Sequence, residues 1–146
     1  MRVTSRFLTA ASALAFFLAF SVAATPSPTK YGSYANALGQ LRTARAYIEH
    51  PDSGELHDQE KSAMAEIDLA INELKSVADD GRGPEDHPPL DSHLRWIPRL
   101  NKAADLLNKA HDNVQKEDDS SGARERAIDH IGKARKFIEQ AIALEQ

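Results

Sequence analysis

An apolar stripe that occurs twice constrains this chain more than any other feature. Ala63-Met64-x-x-Ile67-x-x-Ala70-x-x-x-Leu74 returns 64 residues later as Ala127-Ile128-x-x-Ile131-x-x-Ala134-x-x-x-Ile138. Steps of three and four place such residues on one face of an α-helix. A helix with one apolar face has to bury it, and two copies of the same helix call for a shared core. Two further stripes complete the set. Tyr34, Leu38, Leu41, Arg45 and Ile48 share one face; Leu94, Ile97, Leu100, Ala103, Leu107, Ala110 and Val114 share another. Leu38-x-x-Leu41 aligns loosely with Leu100-x-x-Ala103, which extends the repeat from single helices to hairpins.

Breakers divide the stripes. The first helix runs from about Tyr34 to Glu49 and stops at His50-Pro51, because the residue before a proline is pushed out of the helical region. Asp52-Ser53-Gly54-Glu55 resembles a capping box for the second helix. That helix ends at Asp79-Asp80-Gly81, with Gly81 suited to a left-handed terminator. The glycines and prolines of DGRGPEDHPPLD, residues 80–91, make a non-helical linker. The third helix starts near Asp91 or Ser92, either a fair N-cap, and Pro98 either kinks its first turns or opens a shorter helix. The fourth follows Asp118-Asp119-Ser120-Ser121-Gly122, whose acids suit the positive end of a helix dipole. No alternating β-branched run competes. The fold class expected is all-α: an antiparallel up-down four-helix bundle made of two tandem helical hairpins, 34–79 and 92–146, joined by the linker. Alanines on each stripe allow close helix approach.

The first 24 residues read as a secretory leader. Arg2 and Arg6 precede an apolar run from Phe7 to Phe20, and Ser21-Val22-Ala23-Ala24 supplies a small-residue cleavage site. The run is shorter than the roughly 20 residues a spanning helix needs. Residues 25–33 are expected to be a disordered tail. The mature chain, roughly 120 residues, is one domain in a periplasmic or secreted location.

The net charge of −4 becomes −6 without the two leader arginines, so neither nucleic acid nor an anionic membrane surface is an expected partner. There is no cysteine. This removes thiol catalysis, thiolate metal sites, iron–sulfur clusters and covalent haem, and leaves helix packing as the source of stability.

Three segments carry a resemblance. Ala37-Leu38-x-x-Leu41-Arg42-x-Ala44-Arg45-x-Tyr47, His57 ahead of Ala63-x-x-x-Ile67-Asp68-x-Ala70-Ile71, and Asp86-His87-Pro88-Pro89 look like a family of small exported bacterial proteins made of tandem helical hairpins. The resemblance implies a four-helix bundle outside the cytoplasm and brings no activity with it. The architecture is also similar to periplasmic haem-binding bundles, in fold alone.

Candidate site residues are few. In an up-down bundle the first and third loops share one end, where His50, His57, His111 and His130 would meet Glu55, Asp58, Glu117, Asp118 and Asp119. Imidazoles among carboxylates bind Zn²⁺, Cu²⁺ or Ni²⁺. His87 and His93, flanking Pro88-Pro89, and Trp96, the sole tryptophan, are candidate partner-contact residues at the other end. Haem needs axial His or Met from different helices; Met64 has Ile128 as its repeat counterpart, which cannot ligate. No cofactor is therefore expected, a divalent transition metal being the alternative. No phosphate loop, GxSxG or imposed carboxylate pair is present, so no enzyme is expected. The reading is a non-catalytic, monomeric or weakly dimeric binding module of the cell envelope. It would meet a protein partner through a helix face or the proline-rich end, and an exposed apolar patch is expected around Tyr31, Tyr34 and Trp96.

Overall fold

The computed structural model describes residues 32–50, 55–83 and 85–144. The leader, most of the expected tail and the Asp52-Ser53-Gly54 part of the expected capping box lie outside them. Four helices form: α1 (Gly32–Glu49), α2 (Asp58–Lys75), α3 (Trp96–Gln115) and α4 (Ala123–Ala143). No strand occurs among the described residues, and none of these helices is long and apolar enough to cross a membrane.

The core follows from one rule applied four times. Each helix alternates a large side chain with an alanine in steps of three and four. The buried seams are Tyr34-Ala37-Leu41-Ala44-Ile48 in α1, Ala63-Ile67-Ala70-Leu74 in α2, Leu100-Ala103-Leu107-Ala110-Val114 in α3, and Ala127-Ile131-Ala134-Ile138-Ala141 in α4. This is a heptad pattern with alanine at one of its two core positions. The alanines bring backbones close, and each buried Leu or Ile contributes about 1.5–3 kcal/mol by leaving water. The seams also correct the register of the repeat. Tyr34 of α1 corresponds to Leu100 of α3, and Ile48 to Val114, rather than Leu38 to Leu100.

The all-α bundle of two helical hairpins forms as the stripes require, and every neighbouring pair of helices is antiparallel. The order of directions along the chain is different from the expected one. The helix bodies sit on a square, α1 touching α2 and α3, α4 touching α2 and α3, with α1/α4 and α2/α3 on the diagonals. The start of α1 meets the end of α3: Ser33 N donates to Glu117 Oε1 at 2.8 Å and Tyr34 Oη to Asp119 Oδ2 at 3.2 Å. The end of α1 meets the approach to α3, where Asp91 N donates to Tyr47 Oη at 3.2 Å. The end of α2 meets the start of α4 through Arg126 Nε and Glu73 Oε2 at 2.8 Å. The chain therefore runs up, down, down, up.

That order makes residues 76–95 a lengthwise crossover. It leaves α2 at the Tyr34 end and delivers α3 at the Tyr47 end. α2 is about 27 Å long at 1.5 Å per residue, well within reach of twenty extended residues. Pro88 and Pro89 keep part of it extended. Two contacts pin it. Near its start, Arg42 of α1 grips Asp80 with both guanidinium nitrogens, Nη1 to Oδ2 at 2.6 Å and Nη2 to Oδ1 at 2.8 Å. Near its end it is held by Tyr47. Two hairpins related by a twofold axis across the bundle would give this arrangement, and His130 facing its repeat counterpart Glu66 lies on such an axis.

Helix ends differ from expectation where polar groups offer better caps. α2 begins at Asp58 because the Glu60 carboxylate takes the His57 backbone N–H at 2.8 Å. It ends at Lys75, and Gly81, at φ 69°, turns the crossover instead of closing the helix. Pro98 sits in the first turn of α3, where the backbone N–H it lacks has no intrahelical partner to lose. Ahead of α4, Asp119 accepts from Arg124 N at 2.9 Å and Ser121 N at 2.7 Å, and Gly122 adopts φ 77°. These bonds, the Ser121 hydroxyl first, lower the Asp119 carboxyl to about 2. Burial, then the Asp119 charge, drives the Tyr34 phenol up.

Candidate functional site

At the Tyr47 end, the last turn of α1, the first turn of α2, the first turn of α3 and the end of the crossover converge. The firmest element there is Glu60, which is 0 % exposed. It precedes Ala63 by three residues and Ile67 by seven, so it occupies a seam position that the other rows of the core give to large apolar residues. A buried carboxylate needs donors. Trp96 Nε1 donates to Oε1 at 2.8 Å, while the His57 amide and His57 Nδ1 meet Oε2 at 2.8 and 3.0 Å. The His57 and Trp96 rings stand edge to face with centroids 5.7 Å apart. This network ties the start of α3 to the start of α2 across the diagonal.

Beside it lies a cavity of about 520 Å³, lined by Tyr47, His50, His87, Leu90, Asp91, Ser92, Leu94 and Arg99. That size is within the range of small-molecule sites. Its walls come from three separate stretches of chain. α1 supplies Tyr47 and carries His50 just past its end. The crossover supplies His87 to Leu94, and α3 supplies Arg99, which is 5 % exposed. Tyr47 Oη already accepts from Asp91 N, leaving its own hydrogen to be donated. The His87 Nδ1 hydrogen goes to Pro88 O at 2.8 Å, which fixes the tautomer and leaves Nε2 as the other face of the ring. One Asp91 oxygen accepts from His93 N at 3.0 Å. Arg95, the α3 N-cap residue, provides no side-chain cap, and the first turn holds no acid. The positive end of the α3 dipole therefore has no carboxylate of its own turn to offset it. A second hollow of about 490 Å³ abuts the first. It shares Tyr47, Asp91 and Leu94 and continues along α3 to Lys102 and Asp105.

The crossover redistributes the histidines. His50 and His57 are at the Tyr47 end, but His111 is on the last turns of α3 at the opposite end. His130 is in the middle of the bundle, where Nδ1 meets Glu66 Oε2 at 2.6 Å. The four residues expected to share a metal site are thus not brought together, because the first and third loops lie at opposite ends. Among the described residues no group of three or more His, Asp or Glu side chains is placed to hold a metal ion. The expected partner patch also dissolves: Tyr34 is 0 % exposed, Trp96 is half-buried on Glu60, and the two sit at opposite ends of the bundle. Tyr31 lies outside the described residues.

The structure groups His50 with His87 and places His93 and Trp96 nearby. Tyr47, Leu90, Leu94 and Arg99 escaped the sequence reading. One signal was available for Arg99: it sits beside Leu100 in the most regular stripe of the third helix. None of the 146-residue chain matches a protein-family model, a curated protein or a solved structure.

Proposed function

We propose that this chain is a non-catalytic binding module of the exported helical-bundle kind, and that it receives a small molecule in the cavity at its Tyr47 end. One observation carries the reading. Side chains from α1, the crossover and α3 enclose a cavity of about 520 Å³ in which imidazoles, a guanidinium and a phenol face an apolar wall. A rigid scaffold that gathers a few polar groups around an apolar hollow is the usual form of a ligand site. Within the wall, the bond from Asp91 N to Tyr47 Oη ties the crossover to α1, which favours a cavity shaped before a ligand arrives. Export follows from the leader signature of residues 1–24, and the family resemblance agrees with it.

Docking of an envelope protein has less support, since the exposed large apolar residues among those described are Leu69 on α2 and Leu144 just past the end of α4. Sequestration of Zn²⁺, Cu²⁺ or Ni²⁺ loses its proposed cluster to the crossover. The test is an NMR screen of the mature protein against a mixed library of small organic molecules, following the imidazole signals of His50 and His87. Binders should shift both signals, and Leu94→Trp, which fills the cavity, should abolish the shifts. If no compound moves either imidazole, or if binders persist unchanged in Leu94→Trp, the cavity is not the site.

A further inference from the structure

We infer that the cavity selects a neutral molecule with a hydroxyl group on an apolar body. The hydroxyl oxygen accepts from Tyr47 Oη, its hydrogen goes to His87 Nε2, and the body lies against Leu90 and Leu94. The inference rests on the binding-module reading and adds the polar group by which the ligand is held.

Two lining groups have hydrogen-bonding capacity left over, and they are of opposite kind. Tyr47 is 6 % exposed, and its oxygen accepts from Asp91 N at 3.2 Å. Its own hydrogen has no acceptor among the described residues. A phenol buried to that degree gains by finding one, and Tyr47 lines the cavity. His87 lacks the reverse. A carbonyl oxygen can only accept, so the contact of Nδ1 with Pro88 O at 2.8 Å puts the hydrogen of the neutral ring on Nδ1. Nε2 then holds a lone pair, and no donor among the described residues meets it. A hydroxyl answers both groups at once, since its oxygen accepts and its hydrogen donates. Leu90 and Leu94, half-buried against the core, give the rest of the molecule an apolar surface.

Other polar groups answer one side only. An ether accepts from Tyr47 and brings nothing to His87. An ammonium donates to His87 and leaves the Tyr47 hydrogen unmet. A carboxylate accepts from Tyr47 but confronts the lone pair of His87 and the charge of Asp91, the one carboxylate among the described lining residues. Asp91 itself is exposed, one of its oxygens accepts from His93 N, and the other is open to water. Arg99 is engaged in an interaction of its own, so the choice of ligand falls to Tyr47 and His87.

The experiment uses the mature protein at pH 8 and four probes built on one ring system: 1-naphthalenemethanol, its methyl ether, 1-naphthylmethylamine and 1-naphthoate. Affinity is measured by isothermal titration calorimetry, and location by the His50 and His87 imidazole shifts. The expected result is the alcohol binding at least about fivefold tighter than each of the other three, the worth of one hydrogen bond. His87→Leu should weaken the alcohol and spare the ether, bringing the two within about twofold. Tyr47→Phe should weaken alcohol and ether alike and spare the amine. Because Tyr47→Phe also takes the acceptor from Asp91 N and could loosen the crossover, His87→Leu decides if that variant is destabilised. If the ether, amine or naphthoate binds as tightly as the alcohol while the imidazoles shift, or if His87→Leu leaves the alcohol's advantage intact, the hydroxyl assignment is wrong and the cavity reading stands. If none of the four moves either imidazole, the hydroxyl assignment falls, and the library screen then decides the cavity reading separately.

Discussion

Replacing Asp80 with alanine should destabilise the fold far more than removing an ordinary acid, because it releases the crossover and strands a buried cation. The Arg42 side chain is 0 % exposed and that of Asp80 is 14 % exposed, with two nitrogen–oxygen contacts of 2.6 and 2.8 Å between them. Arg42 Nη2 also donates to Arg82 O at 3.2 Å, and Nε is buried without a hydrogen-bond partner among the described residues. Little else can compensate the guanidinium if Asp80 goes. Loss of one partner of a buried pair costs about 3–5 kcal/mol, and the residual exposure of Asp80 puts this case near the lower end, about 3 kcal/mol. With an unfolding entropy of about 0.23 kcal/mol/K for a domain of on the order of 110 residues, that is a fall in Tm of about 13 °C. The effect has a pH signature. The hydrogen bonds from Arg42, then the Arg82 amide and the nearby positive charge, hold the Asp80 carboxyl below its usual range. A carboxyl lowered by folding stabilises the fold above its unfolded value of about 3.9, and that contribution is lost as the pH falls through the folded value. The gap between parent and variant should therefore be full at pH 7 and narrow below about pH 4. Urea unfolding at pH 7, 5 and 3, followed by circular dichroism, measures it. The double replacement Arg42→Met with Asp80→Leu should recover at least half the loss, since an apolar pair asks for no counter-charge. A cost below about 0.5 kcal/mol for Asp80→Ala at pH 7, as for an exposed pair, would refute the anchoring argument.

Three further outcomes follow from the packing. Spin labels at Asp58→Cys and Asp118→Cys should report a separation of about 25–35 Å by double electron–electron resonance, the length of a helix, whereas an up-down-up-down chain would bring them below about 20 Å. Glu60→Ala leaves the Trp96 indole and the His57 amide without their acceptor; it should cost about 2–4 kcal/mol in urea and shift Trp96 emission, with Glu60→Gln costing less than half as much. Ala134→Leu overfills the close α2–α4 contact and should cost about 1–3 kcal/mol in thermal unfolding, while Ala143→Leu at the exposed end should stay within about 0.5 kcal/mol.

Much of the architecture could be read from residue order because helical periodicity is local. Ile67, Leu74, Ile131 and Ile138 declare their helices and buried faces through spacing alone, and the recurrence of the stripe implies two like hairpins. The caps were less legible. Glu60 competes successfully for the His57 amide because it is also the acceptor for Trp96, a residue thirty-six positions away that no local motif contains. The same holds for Asp119, which serves Tyr34 from eighty-five positions away in the chain. Among the site residues, His50 and His87 were noticed for their chemistry and assigned to different ends.

Residue order alone determined four amphipathic helices, alanine-bearing apolar stripes and an absence of cysteine chemistry. All of these depend on groups within a few turns of one another. Only the tertiary structure decided which ends meet. A twenty-residue connection has the same composition whether it turns back at one end or travels the length of the bundle, and its closure entropy changes little between the two. The choice falls to distant contacts, Arg42 with Asp80 and Tyr47 with Asp91, and to the tight packing of α1 on α3 and α2 on α4. By sending the crossover lengthwise, those contacts part His50 from His111 and His130, bring it to His87 and Arg99, and so create the cavity.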